Sequence, residues 1–175
     1  MTPETIRNAV LLIFAVIAIS LFISPFLVTY GSFTHLDGTT GVMDHWDLWK
    51  STNPFTGSVY AMGDALCHQM ESRSFMLNGS QLAFCVRDTS VIMGMLIGLT
   101  GTFFVSKDLI RRREAWYVAA LLLLPTILEV LIQSLTDFDS LLVVGVTGTM
   151  MGLGVALVLW KLILKMFDDI IPERT

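Results

Sequence analysis

Four apolar stretches take up most of the chain: Ala9 to Val28, Thr89 to Val105, Ala115 to Leu135, and Leu141 to Met166. A bilayer core needs about 20 apolar residues for each helical crossing. Every stretch is of that order, and charges inside them are few. The expected fold is therefore all-α, an integral membrane four-helix bundle built as one membrane domain over residues 1–175. Residues 29–88 are expected to form an extramembrane helix-loop segment between the first two spans.

Composition supports the membrane class. Only 15% of residues are charged and 54% are apolar, whereas soluble domains carry about 25% charge. The net charge of -4 is modest. The one basic run, Lys107 with Arg111, Arg112 and Arg113, lies between two apolar stretches. It reads as a topology signal, which excludes a nucleic-acid surface. The first stretch is too long for a signal peptide, and its Ser24-Pro25 is followed by Phe26-Leu27-Val28 with no small-residue cleavage pattern, so it is expected to be a retained helix.

Lys and Arg mark the cytoplasmic ends of spans. The loop holding Lys107 and Arg111 to Arg113 is expected inside. The next loop carries Asp137 and Asp139 and no base, so it is expected outside. Arg7 puts the N-terminus inside, and Lys161, Lys165 and Arg174 do the same for the C-terminus. The expectation is a multi-pass cell-membrane protein with both termini cytoplasmic and residues 29–88 on the outer face. Trp116, Tyr117 and Trp160 fit the inner interface, and Tyr30 the outer one. Lipids are the expected surroundings. Gly94 with Gly98, and Gly148 with Gly152, have the spacing that lets helix backbones approach closely. They are expected to pack spans two and four together, or to join copies of the chain or a larger membrane complex.

Within the outer segment, Met43 to Lys50 is expected to form a short interfacial helix whose tryptophans touch headgroups. Ser58 to Arg73 is expected to be an amphipathic helix, with Val59, Met62, Leu66 and Met70 at helical spacing. Asn78-Gly79 signals a turn. Asn78-Gly79-Ser80 also matches a glycosylation acceptor. Gln81 to Cys85 then leads into the second span. A path that goes down one helix and returns can bring Cys67-His68 near Cys85 and Asp88.

Cys67, His68, Cys85 and Asp88 are the candidate metal ligands. Zinc accepts thiolate, imidazole and carboxylate, and the sulfurs favour zinc or copper over calcium. Adjacent Cys67 and His68 point different ways on a regular helix, so both can ligate one ion only where the helix ends or distorts. Two other readings stand beside this one. The cysteines can form a disulfide on an oxidising face, or pack as free thiols. Arg73 and Arg87 are candidates for binding an anion, since arginine offers a bidentate fork; the alternative is a snorkelling interface pair. Glu129 and Gln133 lie one turn apart on the third span. An ionisable group at that depth should face protein or water. Glu129 is the candidate catalytic residue, a general base or proton carrier, or else a metal ligand or the partner of Arg87, with a structural salt bridge or interhelical hydrogen bond as the alternative. Gln69, Gln81, Gln133 and Thr147 are candidate supporting polar groups. His35, Asp37, Asp44, His45 and Asp47 read as turn and loop chemistry.

The expected function is a membrane protein with a zinc or copper site at the outer interface, acting on a lipid head group or a small metabolite. The alternative is a small transporter, channel or accessory subunit in which Cys67 and Cys85 form a structural disulfide. Phosphate-loop, His-Glu-x-x-His and Gly-x-Ser-x-Gly motifs are absent from the sequence.

Cys67-His68-Gln69, Arg73-Ser74-Phe75, Gln81 and Cys85-Val86-Arg87-Asp88-Thr89 together resemble a family of small prokaryotic and archaeal membrane proteins of unknown function. Glu129, Gln133 and Thr147-Gly148 fit its later positions. Asp88 stands where many members have a second cysteine, and Ser90 where they have glycine. The resemblance implies a helical membrane protein whose polar residues act as one site, and it supplies no activity.

Overall fold

A computed structural model describes residues 2–136 and 140–170. Asp137, Asp139 and Arg174, used above for topology, lie outside the described residues. The chain is mostly helical: α1 (Pro3–Ile23), α2 (Trp46–Ser51), α3 (Pro54–Leu66), then β1 (Ser74–Leu77) and β2 (Ser80–Cys85), then α4 (Val86–Gly101), α5 (Lys107–Arg111), α6 (Glu114–Leu135) and α7 (Leu141–Ile170). Three segments are long and apolar enough to cross a membrane: Pro3–Leu27, Glu114–Leu135 and Leu141–Asp169. The second apolar stretch is not among them. Its helix, α4, has 16 residues, about 24 Å at the α-helical rise, and gives way after Gly101 to turns. The chain divides into two compact units: Met1–Ala15 with Ser90–Thr175, and Val16–Thr89.

In the first unit, α6 packs along α7. The Thr126 hydroxyl donates to the Thr147 carbonyl at 2.7 Å, tying the two helices with a polar bond. The Thr147 hydroxyl is used within its own helix, on the Val143 carbonyl at 2.9 Å. α4 meets α7 through glycine. A Cβ on Gly152 would lie 2.2 Å from the Val91 carbonyl oxygen, and one on Gly94 would lie 2.3 Å from that of Thr149. These glycines face each other within a single chain, so here the small-residue spacing serves internal packing. Beside them Met95, Leu99 and Ala156 are buried, with Val10, Leu11 and Phe14 of α1 packed on them.

One end of this unit is held by charge. The buried Lys161 ammonium donates to the carbonyls of Ile110, Arg111 and Arg112 at 2.8, 3.0 and 2.7 Å. A helix leaves its last carbonyls without intrahelical partners, and Lys161 supplies them for α5. The Arg111 guanidinium grips Asp168 with two bonds, at 2.9 and 2.8 Å, and Lys107 pairs with Glu4. The Arg7 guanidinium lies 3.6 Å from the Phe103 ring centre and 5.1 Å from that of Trp160, a cation–π arrangement. The start of α1, α5 and the end of α7 therefore share one end of the unit.

In the second unit, α1 ends through a 3-10 turn, Ser24–Leu27. α3 begins where the Asn53 side chain accepts from the Thr56 N–H at 2.9 Å, with Pro54 at the first helical position. Both features are helix-start signals. The helix ends at Leu66 because Cys67 adopts extended backbone, φ -136°. The expected helix from Ser58 to Arg73 thus starts earlier and ends seven residues sooner. Its expected buried stripe also differs. Val59 is buried, but Met62, Leu66 and Met70 are 38%, 61% and 42% exposed. The face turned inward carries Thr56, Gly57, Tyr60, Gly63 and Asp64. Its glycines let backbones touch: a Cβ on Gly63 would overlap the Ala83 carbonyl, and one on Gly57 would lie 2.4 Å from the Trp49 carbonyl oxygen. Trp49 is buried rather than turned to headgroups. It packs with Phe33 and Tyr60, and its indole N–H donates to Asp64 at 2.8 Å. Trp46 remains exposed.

β1 and β2 depart from the all-α expectation. They pair antiparallel, with Leu77 opposite Ser80 and Ser74 opposite Cys85. The loop is Asn78-Gly79, with φ of +50° and +69°. Two positive φ values define the tight turn whose twist suits a hairpin, and Asn-Gly is its preferred sequence. The Asn78 amide donates to the Pro25 carbonyl at 2.8 Å, so this side chain serves the turn. Buried Gln81 then locks the strand in place. Its side-chain oxygen accepts from the Leu36 N–H at 2.7 Å, its amide donates to the Gln69 carbonyl at 2.9 Å, and its backbone carbonyl accepts from the Tyr60 hydroxyl at 2.5 Å.

This packing sets the stability cost of three substitutions. Gly152→Leu forces α4 away from α7 and should cost about 1–3 kcal/mol, the usual penalty for overpacking. Gly101→Ala meets nothing within 4 Å and should leave the unfolding midpoint in detergent almost unchanged. Gln81→Ala strands the Leu36 N–H and the Gln69 carbonyl and should cost about 1–3 kcal/mol, read in the same melting experiment.

Candidate functional site

Cys67 is the first residue past α3, Cys85 the last of β2, and Asp88 lies in the first turn of α4. The hairpin returns the chain to the end of α3, so three of the four expected ligands meet. The two sulfurs and an Asp88 carboxylate oxygen all lie within 4.8 Å of one another, the one such group of three among the described residues. The Cys85 N–H points at the Cys67 sulfur, 3.4 Å away. The Cys85 sulfur also lies 3.2 Å from an Asp88 carboxylate oxygen. Both cysteines are free, Cys67 buried and Cys85 half-buried.

The electrostatics are asymmetric. The Cys67 thiol lies below its usual pKa, first because the Cys85 thiol donates to it, then through the backbone N–H groups of Gln69 and Cys85; burial opposes them. Cys85 is driven well upward, first by holding its proton toward Cys67, then by burial and by the Asp88 charge. Two sulfurs and a carboxylate oxygen thus lie together, each able to bind a cation. That is the donor chemistry of a soft or borderline cation.

His68 is outside this group. Its ring Nδ1 lies 3.1 Å from the Gly38 carbonyl, and the side chain is exposed. The reason is local. Cys67 is already extended, and successive side chains on extended backbone point to opposite sides. Gln69 follows with φ +48°. Its amide donates to the carbonyls of Ala83 and Tyr60, at 2.9 and 3.3 Å. Gln69 thus ties β2 to α3, and the Gln81 amide donates to the Gln69 carbonyl. Arg73 and Arg87 are half-buried, and each has an interaction within the protein. Glu129, Gln133 and Thr147 belong to the other unit. Glu129 is 4% exposed in α6, and Gln133 is half-buried one turn later.

Sequence reasoning missed Asp64. Its carboxylate is fully buried and accepts from the Trp49 indole at 2.8 Å and from the His45 N–H at 2.9 Å. The His45 ring Nδ1 lies 3.4 Å away. One of the loop histidines is therefore held by a buried acid. The available signal was a lone charge within the otherwise uncharged run from Val59 to Leu66.

A family model described as "Predicted membrane protein (DUF2085)" matches residues 67–158, more than half of the chain. The matched region begins at the first of the clustered cysteines. The uncharacterized protein MJ1492 of Methanocaldococcus jannaschii is 29% identical over 110 residues, 62% of this chain and 61% of that protein. The match thus spans under two thirds of that relative's length. No solved structure matches. The chain belongs to this family of membrane proteins.

Proposed function

We propose that this membrane protein holds a zinc ion between Cys67, Cys85 and Asp88. The supporting observation is the gathering of two sulfurs and a carboxylate oxygen within 4.8 Å, from just past α3, the end of β2 and the first turn of α4. Two thiolates and one carboxylate suit zinc, while copper(I) prefers an all-sulfur set. Three protein ligands are the pattern of zinc sites that keep a position open. Zinc held this way supplies an activated water or a Lewis-acid contact for a small substrate or a lipid head group. The chain's own part is to fix the ligand spacing through Gln69 and Gln81. Cys85 must release its proton, so binding strengthens as pH rises and weakens in acid.

Purified full-length protein is expected to carry about one zinc per chain by elemental analysis. Cys67→Ser and Cys85→Ser should abolish it, Asp88→Asn should weaken it, and His68→Ala should leave it intact. Metal-free wild type that ignores added zinc, or a His68→Ala variant that loses zinc as fully as Cys67→Ser, defeats the proposal.

We further propose that α4 and the turns after it complete a fourth crossing, with both termini cytoplasmic and residues 29–88 on the opposite face. The support is the joining of the α1 start, α5 and the α7 end at one end of their unit, where the basic residues cluster. Basic clusters flank cytoplasmic ends. Cysteines introduced at Ser106 and Thr40, in a Cys67→Ser, Cys85→Ser background, should react with an impermeant maleimide from opposite sides of intact cells. Labelling of both from one side removes the fourth crossing.

A further inference from the structure

Where α5, the start of α6 and the end of α7 meet, Arg111, Arg113, Trp116, Lys161, Lys165 and Asp168 line a cavity of about 300 Å³. Four cations face one carboxylate. Two of the cations are committed. Arg111 grips Asp168, and Lys161 is spent on three backbone carbonyls. Arg113 and Lys165 are exposed, and neither forms an ion pair with any described residue. Among the described residues, nothing neutralises the positive charge they bring to the cavity.

The position of the cavity selects its ligand. Its walls include the ends of two segments that are long and apolar enough to cross a membrane. Trp116 lies in the first turn of α6 and is 42% exposed. Tryptophan at the end of a span sits at headgroup depth, its ring in the apolar layer and its N–H toward water. A cationic cavity at that depth meets lipid phosphates before any soluble anion. A zwitterionic lipid would bring a second cation against a lining that is already positive. An anionic phosphodiester brings only the charge the cavity lacks.

We propose that this cavity binds the headgroup of an anionic phospholipid. Arg113 offers the paired donors that match phosphate geometry, Lys165 adds a point charge, and Trp116 flanks the glycerol region. The site is separate from the cysteine cluster and stands whether or not that cluster binds metal.

The test uses the full-length chain, purified in detergent and offered an equal mixture of phosphatidylglycerol and phosphatidylcholine, with retained lipid measured by native mass spectrometry. The expected result is preferential retention of phosphatidylglycerol. The preference should fall roughly fivefold for each charge removed in Arg113→Gln and Lys165→Gln. Raised salt should weaken it, and Lys50→Gln, a cation in the other unit, should leave it alone. Millimolar inorganic phosphate should not displace the lipid. Equal retention of the two lipids by wild type overturns the proposal. So does an unchanged preference in the folded double variant, or displacement by inorganic phosphate. If the double variant fails to fold, the wild-type lipid, salt and phosphate measurements still decide the matter.

Discussion

The buried amide of Gln81 organises the unit that carries the cysteines. It joins the loop at Leu36 to the turn at Gln69, while the backbone carbonyl of the same residue accepts from the Tyr60 hydroxyl of α3. Each bond satisfies a group that would otherwise be buried without a partner, and such groups are costly to leave alone. β2 is therefore fixed in register as well as in place. Because Cys85 ends that strand, its sulfur is delivered to Cys67 by hydrogen bonds made elsewhere. The site inherits its geometry from this polar scaffold.

Much of the helical framework was legible in the sequence, for a simple physical reason. Long apolar runs have few alternatives to helix once lipid is the solvent. The close approach at Gly94 and Gly152 was legible too, because small residues at that spacing state a contact directly. The meeting of Cys67 with Cys85 and Asp88 could be anticipated from a chain path that doubles back at Asn78-Gly79. The hairpin itself was harder to read. β1 has only four residues, too few for alternation to stand out.

Other features depended on details the pattern does not carry. The direction of His68 turns on whether α3 stops at Leu66 or runs on, and one residue decides it. The inward face of α3 was misjudged because its contacts are made by Gly57, Gly63, Tyr60 and Asp64 rather than by large aliphatic side chains. Met62 and Leu66 look like core residues by composition yet lie on the outside, as apolar side chains can where lipid is near. Asp64 looked unremarkable because its partners, Trp49 and His45, come from a loop and a short helix that no periodicity assigns to it. α4 stops at Gly101, although the apolar sequence continues to Val105.

The ammonium of Lys161 has a mechanical meaning. By holding the carbonyls of Ile110, Arg111 and Arg112 at once, it clamps α5 onto α7. Sliding one past the other would abandon a buried charge and several carbonyls in a single step, a cost several contacts deep. That end of the helical unit is consequently a poor place for a hinge. Any rocking or gating cycle in this protein has to pivot elsewhere, carrying α5 and α7 together as one rigid arm.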